Sequence, residues 1–277
     1  MPAEAASVLR LRIVKNGRAC APLVMLRLAA SRSTSTSMKR QLSLSTFDGQ
    51  LLDGLDFCAK VYDLFDQVKK SPDGIARLRL RPTKTEKRLL EELIPIARYV
   101  QARYREGRRI KVRWLSGSQP FDAILWSSGD LVKHRMAPRK LLVEVTTSVH
   151  PNEHLARRLL HERGGSFGVK GIFRDKRTGA IVSEPNVGHG EIATDLANQV
   201  LERLKSKSNK NYSPGTVLIV NCVANGLTLP SEWNDAVERV TNAQAHLAFR
   251  ELFLIEQVLS HSATLYGDRT RGRRRRS

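Results

Sequence analysis

The sequence predicts an α/β fold, a mixed sheet of mainly four or five strands flanked by helices. Three short runs rich in branched and aromatic residues, 110–115, 121–126 and 141–147, follow one another across Ser/Gly or polar connections, as in a meander of neighbouring strands. Longer stretches carry apolar residues every three or four positions, the signature of amphipathic helices. A further apolar run, 216–222, comes after a helical stretch and reads as a strand returning into the sheet.

A chain of 277 residues holds one large domain or a domain with appendages, and 41% apolar residues is ordinary for a folded protein. No apolar run approaches the ~18–20 residues a membrane span requires, so the chain reads as soluble, with no membrane partner. Cys20, Cys58 and Cys222 are few, odd in number and far apart. They argue against a disulfide framework or a zinc site and for a reducing compartment, with the cytoplasm as the expected location. The net charge is +20, and residues 1–37 and 267–277 each contribute six basic side chains against one acid, leaving +10 on the body. A polyanion is the favoured partner, and nucleic acid is the commonest one.

Residues 1–45 are expected to form a disordered or transit-like basic N-terminus. Two readings of 1–37 stand: a mitochondrial presequence, or an extension upstream of a start at Met38. Residues 46–74 read as a helical extension, with Leu51, Leu52, Leu55, Ala59, Tyr62, Phe65 and Val68 at helical spacing from Asp48 to Lys70. Ser71, Pro72, Asp73 and Gly74 end it with turn chemistry. The alternating run 75–81 predicts a strand with a basic face. Thr83 and Glu86 then form a capping box ahead of a second helix, which runs to about Glu106 with a kink at Pro95.

After the three-strand meander the pattern predicts a helix over 152–162 closed by Gly164 and Gly165, and a hairpin of 168–173 with 180–184. A helix over 191–208, the strand 216–222, a helix over 232–245 and strands 252–257 and 263–266 complete the body. The tail, 268–277, reads as disordered and Arg-rich.

Two lone acids stand in these apolar strands. Glu144 lies in the middle of 140–146 and Asp122 near the start of 121–126. An unpaired buried charge is costly, so each acid needs a partner. Residues i and i+2 of a strand face the same way, so Glu144 and Thr146 project together. If Asp122 shares that face, two carboxylates converge, and such hard oxygen ligands suit Mg²⁺ or Mn²⁺. That ion acidifies a bound water and stabilises charge growing on a phosphate. The other reading, two acids neutralised by neighbouring arginines, stays open.

The order of elements, with Pro120, Phe121 and Asp122 on one strand and Glu144, Val145 and Thr146 on the next, resembles the PD-(D/E)xK nuclease superfamily. Twenty-one residues separate the acids, and the likeness spans roughly 80–225. It departs in an extra residue between Pro120 and Asp122 and in Thr146, which stands where the family has lysine. The resemblance implies a restriction-endonuclease-like domain over 75–267 and a Mg-dependent phosphodiesterase, an endo- or exonuclease, acting on DNA. It implies Asp122 and Glu144 as metal ligands, with Thr146 and a helix lysine positioning water and phosphate. Members of the family often move the lysine to a nearby helix. Lys205, Lys207 and Lys210 are the candidates, and Lys207 shares a stripe with Gln199 and Arg203.

The family commonly adds an acid from the helix before the meander. Glu86 has the capping box to serve, which leaves Glu91, with Glu92 beside it, as the possible extra acid. Arg157 and Arg158, on the helix that begins beside the acids, and Lys205 and Lys210 are candidate phosphate contacts. His150 and His154 have a ligand-like spacing but no accompanying zinc pattern. The alternative function is a nucleic-acid-binding protein that keeps the fold and has lost the chemistry, which Thr146 motivates. A structural or partner-binding protein with incidental charge is a third reading.

Overall fold

Gly49, with φ at +70°, turns the chain into a short edge strand, β1 (Leu51–Asp53). The computed structural model describes residues 43–165, 169–184, 189–213, 215–223, 229–243, 249–256, 258 and 260–266. The expectations for 1–42, for the Gly-rich turn and hairpin start at 166–168, for 244–245 and for the Arg-rich tail lie outside them. Leu51 and Leu52 therefore belong to a strand and not to the first helix. The reason is tertiary: they pair with Arg113 and Val112. Asp53 then caps α1 (Gly54–Lys70) by accepting the N–H of Leu55 at 2.9 Å.

The run predicted as a basic strand is a helix, α2 (Gly74–Leu80). Its first residue touches the end of α1: a Cβ on Gly74 would lie 2.3 Å from the carbonyl oxygens of Val68 and Lys69. That close docking brings Ile75 and Leu78 into helical spacing, with Leu78 against the core.

The capping box forms as predicted, Thr83 and Glu86 closing the start of α3 (Lys84–Arg88). The helix continues as a π-helical turn (Leu89–Leu93) and α4 (Ile94–Arg103). Pro95 lacks an N–H and its ring clashes with the carbonyl four residues back in a regular helix. Here the widened turn, in which the N–H of Ile94 reaches Leu89, precedes the proline and takes up the mismatch. The helix ends at Arg103, short of Glu106, because Tyr104 is already extended.

The meander follows as β2 (Arg109–Trp114), β3 (Ala123–Ser128) and β4 (Lys140–Ser148), with a short unforeseen helix, α5 (Asp130–Lys133), in the polar connection. Next come α6 (Glu153–Arg163), a separate hairpin of β5 (Ile172–Arg174) and β6 (Ile181–Ser183), and α7 (His189–Ser208). The chain closes with β7 (Val217–Cys222), α8 (Pro230–Ala243), β8 (Glu251–Glu256) and β9 (Ser262–Tyr266).

The main sheet has seven strands in the order β1-β2-β3-β4-β7-β8-β9, more than the four or five expected. The strand not foreseen is β1, whose three residues read as part of the first helix, while β9 answers to the strand expected over 263–266. β1 to β4 pair antiparallel, β4, β7 and β8 run parallel, and β9 returns antiparallel. All six residues of β7 and of β8 are buried, as parallel strands covered on both faces require. On one face Val143, Val145, Ile219 and Phe253 meet α1 and α4 (Phe57, Val61, Ile96, Tyr99). On the other Leu218, Val220 and Leu254 meet α7 and α8 (Leu196, Val200, Trp233). Residues 46–74 thus form one layer of the common core. Cys58 and Cys222 are buried free thiols, and among the described residues no helix is long and apolar enough to cross a membrane.

Candidate functional site

Glu144 sits at the centre of β4, opposite Leu218 of β7, and is 8% exposed. With Leu142 and Thr146 it belongs to the strand face turned toward α7. Asp122 lies one residue beyond the last β3–β4 ladder pair, Ala123 with Val143, which sets it beside Glu144. The ladder holds its backbone: its N–H donates to Val143 O at 2.8 Å, and its carbonyl accepts from Leu115 at 2.9 Å. Its Oδ2 accepts the N–H of Val145 at 2.7 Å.

The parallel β4–β7 pairing brings in the next group. α7 ends just before β7 begins, so its last turn arrives at the end of the sheet where Glu144 lies. Lys207 Nζ donates to Glu144 Oε1. Tyr212, on the link to β7, donates its hydroxyl to the same oxygen at 3.2 Å, its ring against Phe249 with centroids 5.1 Å apart.

A third acid approaches from the other side of Asp122. The π-helical turn presents Glu92, whose Oε2 accepts Trp114 Nε1–H at 3.0 Å and whose Oε1 pairs with Arg88. Burial pushes the Glu92 carboxyl above its ordinary range, against the pull of Arg88 and Trp114. Asp122 is pushed up to about 7, first by burial and then by the charges of Glu92 and Glu144, with the Val145 N–H and Lys207 opposing. Burial together with neighbouring like charges is how proteins set a carboxyl to titrate near neutrality.

The donor chemistry fits a divalent cation at Asp122 and Glu144. Among the described residues, Asp122 Oδ1 and Glu144 Oε2 accept no hydrogen bond, and the burial and like charges that raise Asp122 are what a bound cation offsets. No group of three or more His, Cys, Asp or Glu among them is arranged to hold a metal ion. Two carboxylates suit an ion that keeps several waters, as Mg²⁺ does.

The remaining predicted residues divide. Thr146 is partly buried on the Glu144 face, and its hydroxyl has no partner among the described residues. Lys205 and Lys210 are exposed and reach neither acid, and in the Lys207 stripe Arg203 is exposed while Gln199 Oε1 is buried without a partner among the described residues. Glu91 does not join the acids: it pairs with Arg81 at 3.0 Å, and Glu92 stands by Asp122 in its place. Arg158 is exposed and paired with Glu162 at 2.7 Å, whereas Arg157 is largely covered and lies 3.9 Å from Glu153. Glu86 serves its cap and binds Arg77. His150 and His154 serve local turns, His150 Nδ1 accepting the N–H of Asn152 at 3.1 Å and His154 Nδ1 lying 3.0 Å from Pro151 O.

Sequence reasoning passed over Tyr212 and set Glu91 before Glu92. Tyr212 lies in a connection with no periodicity to mark it. For Glu92 the only signal was Pro95, the reason for the π-helical turn that aims it. Comparison with family models, curated proteins and solved structures matches this chain to none of them.

Proposed function

We propose that this protein is a metal-dependent nuclease that hydrolyses phosphodiester bonds in DNA. The observation that carries the reading is Lys207, a helix lysine whose ammonium meets Glu144 beside Asp122, although Thr146 occupies the strand position where the resembling enzymes have lysine. Asp122 and Glu144 would hold Mg²⁺ or Mn²⁺, their oxygens Oδ1 and Oε2 being the ones that accept no hydrogen bond among the described residues. When bound, the ion supplies an acidified water and a counter-charge for the phosphate.

The chain's own groups do the rest. Tyr212 and Lys207 fix Glu144 Oε1, so the carboxylate presents its other oxygen. The Val145 N–H orients Asp122 in the same way. The Lys207 ammonium stands within the site as a cation for the extra charge of a five-coordinate phosphate, and the Thr146 hydroxyl is free to hydrogen-bond a water. A body charge of +10, tails excluded, draws a polyanion to this surface.

The test is cleavage of plasmid and linear DNA with Mg²⁺ or Mn²⁺, wild type against Asp122→Ala, Glu144→Ala and Lys207→Ala. Cleavage lost in the two acid variants supports the reading, and undiminished cleavage in both removes the metal site. One observation favours a second reading, a nucleic-acid-binding protein without catalysis: Lys207 and Glu144 also satisfy one another as a structural ion pair. Salt-sensitive DNA binding with no metal-dependent cleavage would decide for it.

A further inference from the structure

Arg81 follows α2 in the left-handed backbone region, φ +53°, and this turn drives its side chain inward until 17% is exposed. Its Nη1 meets Glu91 Oε1 at 3.0 Å, but its Nε is buried with no hydrogen-bond partner among the described residues. α2 packs on α6, and Arg79 Nη1 donates to the α6 carbonyl of Leu160 at 3.0 Å. From α6 comes Arg157, its Nε 3.9 Å from Glu153 and its Nη1 likewise buried and unpartnered among the described residues. Burial, and after it the charge of Arg81, lowers the pKa of Arg157, which also feels Glu91. Two guanidiniums from different elements are thus held near each other with an N–H of each unsatisfied.

An orphaned buried donor on a charged group is costly, and such groups call for an explanation. The nearby carboxylates do not supply it, since Glu91 and Glu153 already face these arginines and leave both donors open. A phosphate has several acceptor oxygens and matches the guanidinium fork. The location fits the same ligand: Glu91 is the chain neighbour of Glu92, which faces Asp122.

We propose that Arg81 and Arg157 form a phosphate-binding notch on the flank of the Asp122–Glu144–Lys207 site, which grips a phosphate of the nucleic-acid strand away from the scissile bond. The proposal rests on the nucleic-acid reading above. Glu91 acts as the competitor within the notch, occupying Arg81 until a phosphate displaces it. The phosphate is either an internal phosphodiester or a terminal phosphomonoester, and the two share this chemistry.

The experiment titrates a fluorescent DNA duplex in EDTA, so that nothing is cut, across a series of salt concentrations. Arg81→Gln and Arg157→Gln are expected to bind about tenfold more weakly. Each should flatten the dependence of log affinity on log salt by about one unit. Arg239→Gln, which removes a cation paired with Asp235 on α8, is expected to match wild type. Glu91→Gln is expected to bind more tightly, a gain that misfolding does not produce. Duplexes with 5′-phosphate and 5′-hydroxyl ends separate the two sources: a loss with both means an internal phosphate, a loss with the first alone a terminal one.

Unchanged affinity and salt slope in both arginine variants overturns the notch and leaves the nuclease reading intact. If those variants do not fold, an unchanged affinity of Glu91→Gln overturns it. The expected binding losses without Asp122-dependent cleavage keep the notch and remove the nuclease. Wild-type protein that binds no DNA at low salt overturns both.

Discussion

Arg103 ends α4 beneath β8 and β9, 7% exposed, and its Nε and Nη2 donate to Glu251 Oε1 at 3.2 and 2.5 Å. Nη2 also donates to Thr264 Oγ1 at 2.9 Å, and the guanidinium lies 5.2 and 5.6 Å from the ring centres of Tyr99 and Phe253. Burial works against this charge, yet Glu251 and Tyr99 outweigh it and hold the group above its ordinary range. At Asp122 and Glu144 of the same sheet, Glu92 adds the charge of a third acid and Lys207 a cation, and burial with the two acid charges raises Asp122 to about 7. The first cluster pairs opposite charges, Arg103 with Glu251, and adds the Thr264 hydroxyl as a neutral acceptor. The second sets like charges against one another and leaves oxygens open. One is built to stay as it is, the other to receive something.

Breaking the first cluster has the largest expected effect. Glu251→Ala strands a buried guanidinium and is expected to cost about 3–5 kcal/mol, read as a lower urea midpoint at unchanged slope. A loss under about 1 kcal/mol would erase the contrast. Lys207→Ala is expected to reduce Mg²⁺-dependent DNA cleavage by about a hundredfold, with a urea midpoint near that of wild type. A fall in stability as large as that of Glu251→Ala would make Lys207 a second structural ion and not a working one.

The pH dependence is smaller and has the opposite sign to that of an ordinary salt-bridged acid. Because Asp122 titrates near 7 when folded, against about 4 when unfolded, the folded chain binds its proton more readily. Its ionisation costs stability above pH 7, and that cost fades as the pH falls from 7 toward 4. In EDTA, Asp122→Asn is therefore expected to raise the urea midpoint at pH 8 and to do so less at pH 5. An equal effect at both would mean that the folded chain does not raise Asp122. Arg158→Gln, which breaks an exposed pair with Glu162, is expected to leave the melting temperature unchanged. A measurable loss there would show that exposed pairs carry weight in this fold.

Much of the framework was legible because burial on one face writes a period into the chain. The alternation in Arg109–Trp114, buried at Ile110, Val112 and Trp114, and the unbroken apolar run of Val217–Cys222 announced β2 and β7. Lys207 was legible too, since its helical stripe placed it on a row of polar residues. What failed was decided by contacts distant in sequence. Leu51 and Leu52 are strand because β2 offers an edge, and Ile75 to Leu80 are helix because Gly74 docks on α1. Arg77, Arg79 and Arg81, alternating with Leu78 and Leu80, gave that stretch a two-residue period with no strand behind it. Glu91 and Glu92 were confused for a subtler reason. Neighbouring helical residues diverge by about 100°, so the choice between them hangs on the exact winding of the turn.

That winding has a consequence for how the protein can tolerate change. A π-helical turn is an α-helix with a single surplus residue, so the segment before it and the segment after it are out of phase, like two gears meshed one tooth apart. The capping box indexes the front gear and the packing of Tyr99 and Val100 indexes the rear one. Remove one residue between Leu89 and Leu93 and both gears can keep their settings, the helix merely becoming regular. What turns away is the spoke between them, Glu92, which would leave Trp114 and Asp122. Such a deletion would turn Glu92 out of the acid cluster and set Pro95 against a regular helix again, so the surplus residue stores a setting of the site that no side chain carries.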